Sequence, residues 1–458
     1  MRGGVLPTRG EDNNLLSPMQ GSRILFAVTL ALLGGCVTPP GDYRRPADSV
    51  VLKPLPKERF WWGTSTASFQ NEDRGLALGD PMNFRTDWDV FAEEGKAPAR
   101  GDRAVFSWTR FDLDLKALRQ LGVSHFRFGV EWARIEPKPG VINEQALARY
   151  VGMARQLRAA GIEPVVTLWH FTFPDWLYDR KNKGNVNFLH PDAREAWRAH
   201  VTRVVRAMKP YVRIYVPQNE PNGALNLGWI AGHWPPGRLL DPFGYKRALR
   251  SAADMFRDAA GIIRRERPGA LVMGIYSIPD WRRSFPGDPT ALVYNVVQRQ
   301  NFDHLDMVAD TMDLIGVNYY YAQEASILRF LNRGHGEVSS DYTQLGWEIV
   351  PEGLYNVLTT VSKRYDKPIV VTENGLGTQS EQKRIRYLRE HIAQMRRAMA
   401  DGVDVRGYFP WTLVDNYEWK EGWHGQFGLF SFDKKTKARN LEPTGKWFSA
   451  YIKAHPNP

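Results

Sequence analysis

The sequence predicts an α/β chain folded as a single (β/α)8 TIM barrel, and three observations carry that expectation. Eight short runs enriched in β-branched and aromatic residues recur along the chain, helix-length amphipathic segments separate them, and each run ends near polar or aromatic residues. Near-continuous apolar strands separated by helices describe a parallel sheet, and eight such units point to closure into a barrel. Two facing doubly wound sheets are the alternative architecture. The 458 residues suit one barrel with insertions, since such a domain needs about 250 residues and can exceed 400.

In chain order the runs are 60–66, 124–130, 164–170, 212–218, 270–276, 312–318, 367–373 and 405–411. The first begins on Phe60-Trp61-Trp62, the second alternates around Phe126 and Phe128, and the third is built on Val165-Val166-Thr167. Ile214-Tyr215-Val216, Leu271-Val272-Met273, Leu314-Ile315-Gly316-Val317, Ile369-Val370-Val371 and Tyr408-Phe409 supply the apolar centres of the rest. Between them lie helical patterns such as residues 112–121, which stop at Gly122 as a helix with a glycine C-cap should.

Ahead of the first strand the chain divides in two. Arg23 precedes a ten-residue apolar run at 24–33, too short to span a bilayer but suited to the centre of a secretory signal. Leu33-Gly34-Gly35-Cys36 follows and resembles the lipobox of bacterial lipoproteins, whose cysteine is acylated after cleavage. That resemblance implies a signal peptide over 1–36, starting from Met1 or more economically Met19. It also implies a lipid anchor on Cys36 and a place in the bacterial cell envelope, with Val37 in the following position compatible with outer-membrane sorting. A buried apolar helix with an incidental cysteine is the competing account. Residues 37–57, with Pro39, Pro40, Pro46, Pro54 and Pro56, read as an extended tether, and 58–458 as the catalytic domain.

Composition excludes several classes. With 43% hydrophobic and 24% charged residues the chain is an ordinary globular protein, neither disordered nor membrane-embedded. A single cysteine forbids any intrachain disulfide. The net charge of +11 favours anionic partners, yet bases and acids are interspersed, and the densest basic run, Lys434, Lys435, Lys437 and Arg439, reads as a solvated loop and not a nucleic-acid site. No His-Glu-x-x-His, Gly-x-Ser-x-Gly or phosphate-cradling Gly-x-x-x-x-Gly-Lys pattern occurs, so neither metal nor organic cofactor is implied.

In a barrel of this kind, reactive groups sit where strands end. Those ends carry Gln70, Arg127, Trp132, His170, Asn219-Glu220, Tyr276, Asn318, Tyr320, Glu373 and Trp411, a set suited to holding a polyhydroxylated ligand between two acids. Glu220 and Glu373 end buried strands, where an unpaired carboxylate is costly. Hydrolysis of a glycoside needs such a pair: one acid protonates the leaving oxygen while a carboxylate attacks the anomeric carbon. The two pKa values must then be split, and Arg127 is a candidate for favouring charge on Glu373.

From about Phe60 to His455 the chain resembles glycoside hydrolase family 1 through several ordered motifs. They are Phe60-Trp61-Trp62-Gly63-Thr64-Ser65 through Gln70, Arg127-Phe128 with Glu131-Trp132, Thr167-Leu168-Trp169-His170, Asn219-Glu220-Pro221, Gly316-Val317-Asn318-Tyr319-Tyr320, Thr372-Glu373-Asn374-Gly375, and Trp411 through Glu418-Trp419. The resemblance implies a retaining β-glycosidase acting on a terminal β-glucoside, β-galactoside or β-fucoside through a covalent glycosyl-enzyme. Glu220 would be general acid/base and Glu373 nucleophile, with Arg127, Asn318 and Tyr320 orienting them. Gln70, His170, Asn219, Glu418 and Trp419 would hold sugar hydroxyls, with Trp411 as stacking platform. Retention of Glu418, where members acting on 6-phosphorylated sugars typically carry serine, implies an unphosphorylated sugar.

Phe171-Thr172 and Gln426-Phe427-Gly428 depart from the family pattern, as does the helix after Gly237, and they leave the leaving-group preference open. Two other functions use the same residues: a transglycosidase in envelope glycan assembly, with acceptor sites near Trp229, Trp234 or Trp347, and a catalytically silent glycan-binding lipoprotein. Oligomeric state is left open.

Overall fold

The computed structural model describes residues 41–44, 59–74, 83–99, 104–182, 184–283, 291–325 and 342–458. The expected signal segment, Cys36 and most of the expected tether lie outside the described residues.

All eight expected runs form strands: β1 Trp61–Ser65, β2 His125–Gly129, β3 Glu163–Thr167, β4 Ile214–Val216, β5 Leu271–Ser277, β6 Leu314–Asn318, β7 Ile369–Asn374 and β8 Val405–Pro410. Each pairs in parallel with its sequence neighbours, and β8 returns to β1 through Trp61↔Gly407 and Trp62↔Tyr408, closing the barrel. Two-sided burial explains the apolar runs. One set of side chains, including Trp61, Val165, Ile214, Met273, Ile275, Val370 and Phe409, fills the barrel interior, while the alternate set meets the surrounding helices in a larger core.

Interior filling also dictates where side chains must be absent. A Cβ at Gly63 would lie 2.7 Å from the Phe409 ring, so that ring occupies the space Gly63 leaves. Outside the barrel, the helix Phe111–Leu121 ends as expected at Gly122, whose φ of 77° and backbone N–H to Leu118 make the left-handed cap.

Two sequence expectations change. Tyr43, placed in the tether, packs its ring against Tyr365 at 5.1 Å between centroids, so at least this part of 37–57 rests on the domain. The basic run near 434–439 is not wholly solvated, because Arg439 donates to Asp114 at 2.8 Å with both side chains buried. Among the described residues, no helix is long and apolar enough to cross a membrane.

Candidate active site

At the C-terminal ends of the strands lies a cavity of about 370 Å³ lined by Gln70, His170, Glu220, Tyr320, Glu373, Trp411, Glu418 and Trp419. Eight of the expected site residues are thus brought to one wall system from six separate places in the chain. Arg127, Asn219 and Asn318 lie in the layer directly beneath and are buried. Asn219, expected to reach a sugar hydroxyl, is turned into that layer, with its amide oxygen accepting from Arg127 and its amide nitrogen against His170.

Glu220 ends up here through an abrupt change of backbone. After β4, Asn219 still bridges to Ile275, but Glu220 adopts φ 44°, ψ 50° and becomes the N-cap of the helix Pro221–Trp229. Pro221 at the first helical position has no N–H to leave unsatisfied. A non-glycine residue in the left-handed region is held there against its preference by its surroundings. Phe171 (φ 71°) and Trp419 (φ 51°), also lining the cavity, share the trait.

Glu373 is aimed by a bulge. Along β6 and β7, Val317 pairs with Val371 but Asn318 pairs with Glu373, so β7 carries one extra residue at Thr372. Thr372 donates its hydroxyl to the Asn318 amide oxygen at 2.6 Å, which fixes that amide so that its nitrogen donates to Glu220 Oε1. A single asparagine therefore ties the two acids' strands together.

The surroundings treat the two carboxylates differently. Glu373 Oε1 accepts from the Arg127 guanidinium at 2.8 Å and Oε2 accepts from the Tyr320 hydroxyl at 2.5 Å. Burial pushes its pKa up, and Arg127 and Tyr320 oppose that. Glu220 has a neutral amide as its hydrogen-bond donor, and burial first, then the charge of Glu373, push it up to about 8. Of the pair, Glu220 is the group that keeps its proton at neutral pH. Nearby, burial and Arg127 hold His170 neutral, and burial followed by the Glu373 charge keeps the proton on Tyr320.

The inner end of the cavity sets polar side chains beside indole rings. Gln70 donates to the Tyr417 carbonyl at 2.8 Å, while its own side-chain oxygen is buried without a partner. Glu418 Oε1 accepts from the Trp411 indole N–H at 3.2 Å, and burial raises its pKa to about 8. Trp419 is clamped by Phe69, stacked at 5.5 Å, and by Trp88 at 4.7 Å.

Several wall residues were not singled out from sequence. His233, Trp281, Tyr321, Gln300, Asn301, Gln323 and Lys420 line the outer cavity, beside Phe171, which the sequence marks only as a departure from the family pattern. They come from loops, from the short strands Asp280–Arg282 and Ala322–Glu324 and from the helix Ala291–Val308, and only proximity in the fold identifies them. Of the three tryptophans expected near an acceptor, Trp234 and Trp347 line the cavity. Trp229 does not: it is buried in the core, its ring filling the space at Gly244.

Comparison with known proteins agrees with this geometry. The chain is 29% identical over 446 residues to Beta-glucosidase A of Thermotoga maritima, covering 86% of this chain and 97% of that one. It is 26% identical to a bifunctional beta-D-glucosidase/beta-D-fucosidase of Bifidobacterium breve, covering 86% and 98%. The fold superposes on the beta-glucosidase from Thermotoga maritima in complex with glucoimidazole with a TM-score of 0.77 at 26% identity, over 88% of this chain and 99% of that one. The profile of glycosyl hydrolase family 1 matches residues 52–259 and 266–457. With its motifs, barrel and paired glutamates in one cavity, this chain belongs to glycosyl hydrolase family 1.

Proposed function

We propose that this protein is a retaining β-glycosidase in which Glu373 attacks the anomeric carbon of a terminal, unphosphorylated β-linked sugar while Glu220 protonates the leaving oxygen. The observation that carries the assignment of roles is the unequal treatment of the two acids, with Arg127 and Tyr320 donating to Glu373 and burial keeping the proton on Glu220. In the first step the carboxylate of Glu373 forms an ester to the sugar, the glycosidic C–O bond breaks, and the proton of Glu220 leaves with the aglycone. In the second, Glu220, now a carboxylate, takes a proton from water as the water oxygen displaces Glu373. Gln70, His170, Glu418 and Trp419 then hold the sugar over Trp411, and the β-glucosidase and β-fucosidase activities of the relatives favour glucose or fucose.

The test is turnover of aryl β-glucoside, β-galactoside, β-fucoside, β-mannoside and β-xyloside, with Glu373→Gln as control, followed by trapping with a fluorosugar. Label on the peptide bearing Glu373 is expected. Turnover without label there would move the nucleophile elsewhere. Trp234 and Trp347 on the cavity wall also suit an acceptor sugar in place of water, which is the transglycosidase reading. Product analysis with added acceptor alcohols separates the two. The lipobox-like Leu33-Gly34-Gly35-Cys36 supports a lipid anchor on Cys36 and an envelope location, checked by the intact mass of the mature N-terminal peptide.

A further inference from the structure

The end of the barrel opposite the cavity, where the strands start, is electrically lopsided. Between the starts of β3 and β6, Arg158 and Arg213 both pair with Glu163, Arg206 and Arg265 both pair with Glu266, and Arg264 pairs with Asp313. Three carboxylates thus serve five guanidiniums. The acids are recessed, with Glu163, Glu266 and Asp313 only 10%, 11% and 11% exposed, whereas Arg158, Arg206 and Arg265 stand 46%, 62% and 61% exposed. Lys209, exposed on the turn into β4, adds a further cation. A cleft between the helices Ala193–Met208 and Pro242–Glu266, lined by Arg198, Arg206, Arg265, Glu195 and an Arg203 that pairs with Glu136, continues the face along the side.

Tyr43 is held at this same end, because Tyr365, against which it packs, closes the helix Pro351–Tyr365 that feeds β7. Six residues of chain lie between Cys36 and Tyr43, and even fully extended this span reaches at most about 25 Å. A lipid on Cys36 would therefore bring the strand-start end, and not the cavity, to the bilayer. We propose that this basic end seats on an anionic lipid surface, with the mouth of the active-site cavity directed away from it. The tether argument rests on the acylation of Cys36 proposed above; the charge argument stands without it.

All described contacts begin at residue 41, so the chain starting at Val37 retains them and lacks the apolar signal segment and Cys36. Its sedimentation with phosphatidylcholine vesicles, with and without phosphatidylglycerol, tests the charge argument. Binding is expected only with phosphatidylglycerol and is lost in high salt. Each basic charge near the surface contributes roughly fivefold to partitioning. The combined change Arg206→Gln, Arg265→Gln and Lys209→Glu shifts the charge by four units and should thus weaken binding by roughly several hundredfold, with glycoside turnover and unfolding midpoint serving as fold controls. Equal binding to neutral vesicles, undiminished binding by the variant, or equally tight retention on duplex DNA would each overturn the proposal. Orientation is read from single cysteines introduced by Lys209→Cys or His424→Cys, since the chain from Val37 has no other cysteine. A fluorophore at 209 should be quenched by doxyl-labelled lipid and one at 424, on the cavity side, should not; the reverse pattern overturns the orientation. Because lipidation is read separately from the N-terminal mass, the two readings fail independently.

Discussion

Replacing Glu418 by Gln should stabilise the protein at neutral pH while weakening it as an enzyme. Glu418 lines the cavity beside Glu373, and its carboxyl meets the Trp411 indole N–H and the charges of Glu373 and Asp415. Its pKa rises from 4.5 to about 8, chiefly through burial. The sign follows from linkage: below pH 4.5 the group is protonated in both folded and unfolded chains and costs nothing. Between 4.5 and about 8 the unfolded chain ionises while the folded one does not, so stability falls as pH rises, and the penalty is constant above that range. From pH 5 to pH 7 the full effect approaches about 2.5 kcal/mol. Glu418 is partly exposed to water in the cavity, which reduces this to about 1 to 2 kcal/mol. Gln keeps the shape of the neutral acid but cannot titrate. Urea unfolding at pH 5, 6, 7 and 8 should show the variant's advantage over the parent growing by that amount up to pH 7. A difference that is flat with pH would mean that Glu418 is ionised in the folded state and that the reasoning fails.

Three further outcomes are expected. The alkaline limb of kcat/KM should fall near pH 8, where Glu220 loses its proton; Glu220→Gln should cost roughly 10² to 10⁴ with poor leaving groups and far less with dinitrophenyl glycosides, which need no acid. Arg127→Met removes the cation from Glu373, so the acid limb should move to higher pH; breaking this buried pair should cost about 3 to 5 kcal/mol of stability, measured by denaturant unfolding. Gly375→Ala should lower turnover at least about tenfold and stability by about 1 to 3 kcal/mol, because the new Cβ would sit 2.2 Å from the Trp411 carbonyl oxygen and push the stacking platform aside.

The strands were legible because burial on both faces leaves an uninterrupted apolar run, a signal that survives without knowledge of partners. The inner cavity was legible for a related reason: its residues sit at or just beyond those strand ends, so locating Val371-Thr372-Glu373 located the acid. What stayed hidden depends on pairing between distant segments. The extra residue at Thr372 exists only relative to β6. Nothing local distinguishes Trp229, which became core, from Trp234, five residues on, which became cavity wall. Sequence names Asn219 as a candidate sugar ligand but does not show that its amide also bridges Arg127 and His170. Proline content marked residues 37–57 as extended and could not reveal that Tyr43 has a docking place on Tyr365.

The junction of β1 with β8 joins Trp61 to Gly407, and beyond it the Trp62 indole N–H reaches the His455 carbonyl at 2.8 Å. Loop closure over so long a span is entropically slow to find. During synthesis the chain therefore lacks its last staves until nearly all of it has left the ribosome, and Trp411, Glu418 and Trp419 arrive with them. A chain that ends before Trp411 has both acids in its sequence but lacks Trp411, Glu418 and Trp419 from the cavity wall.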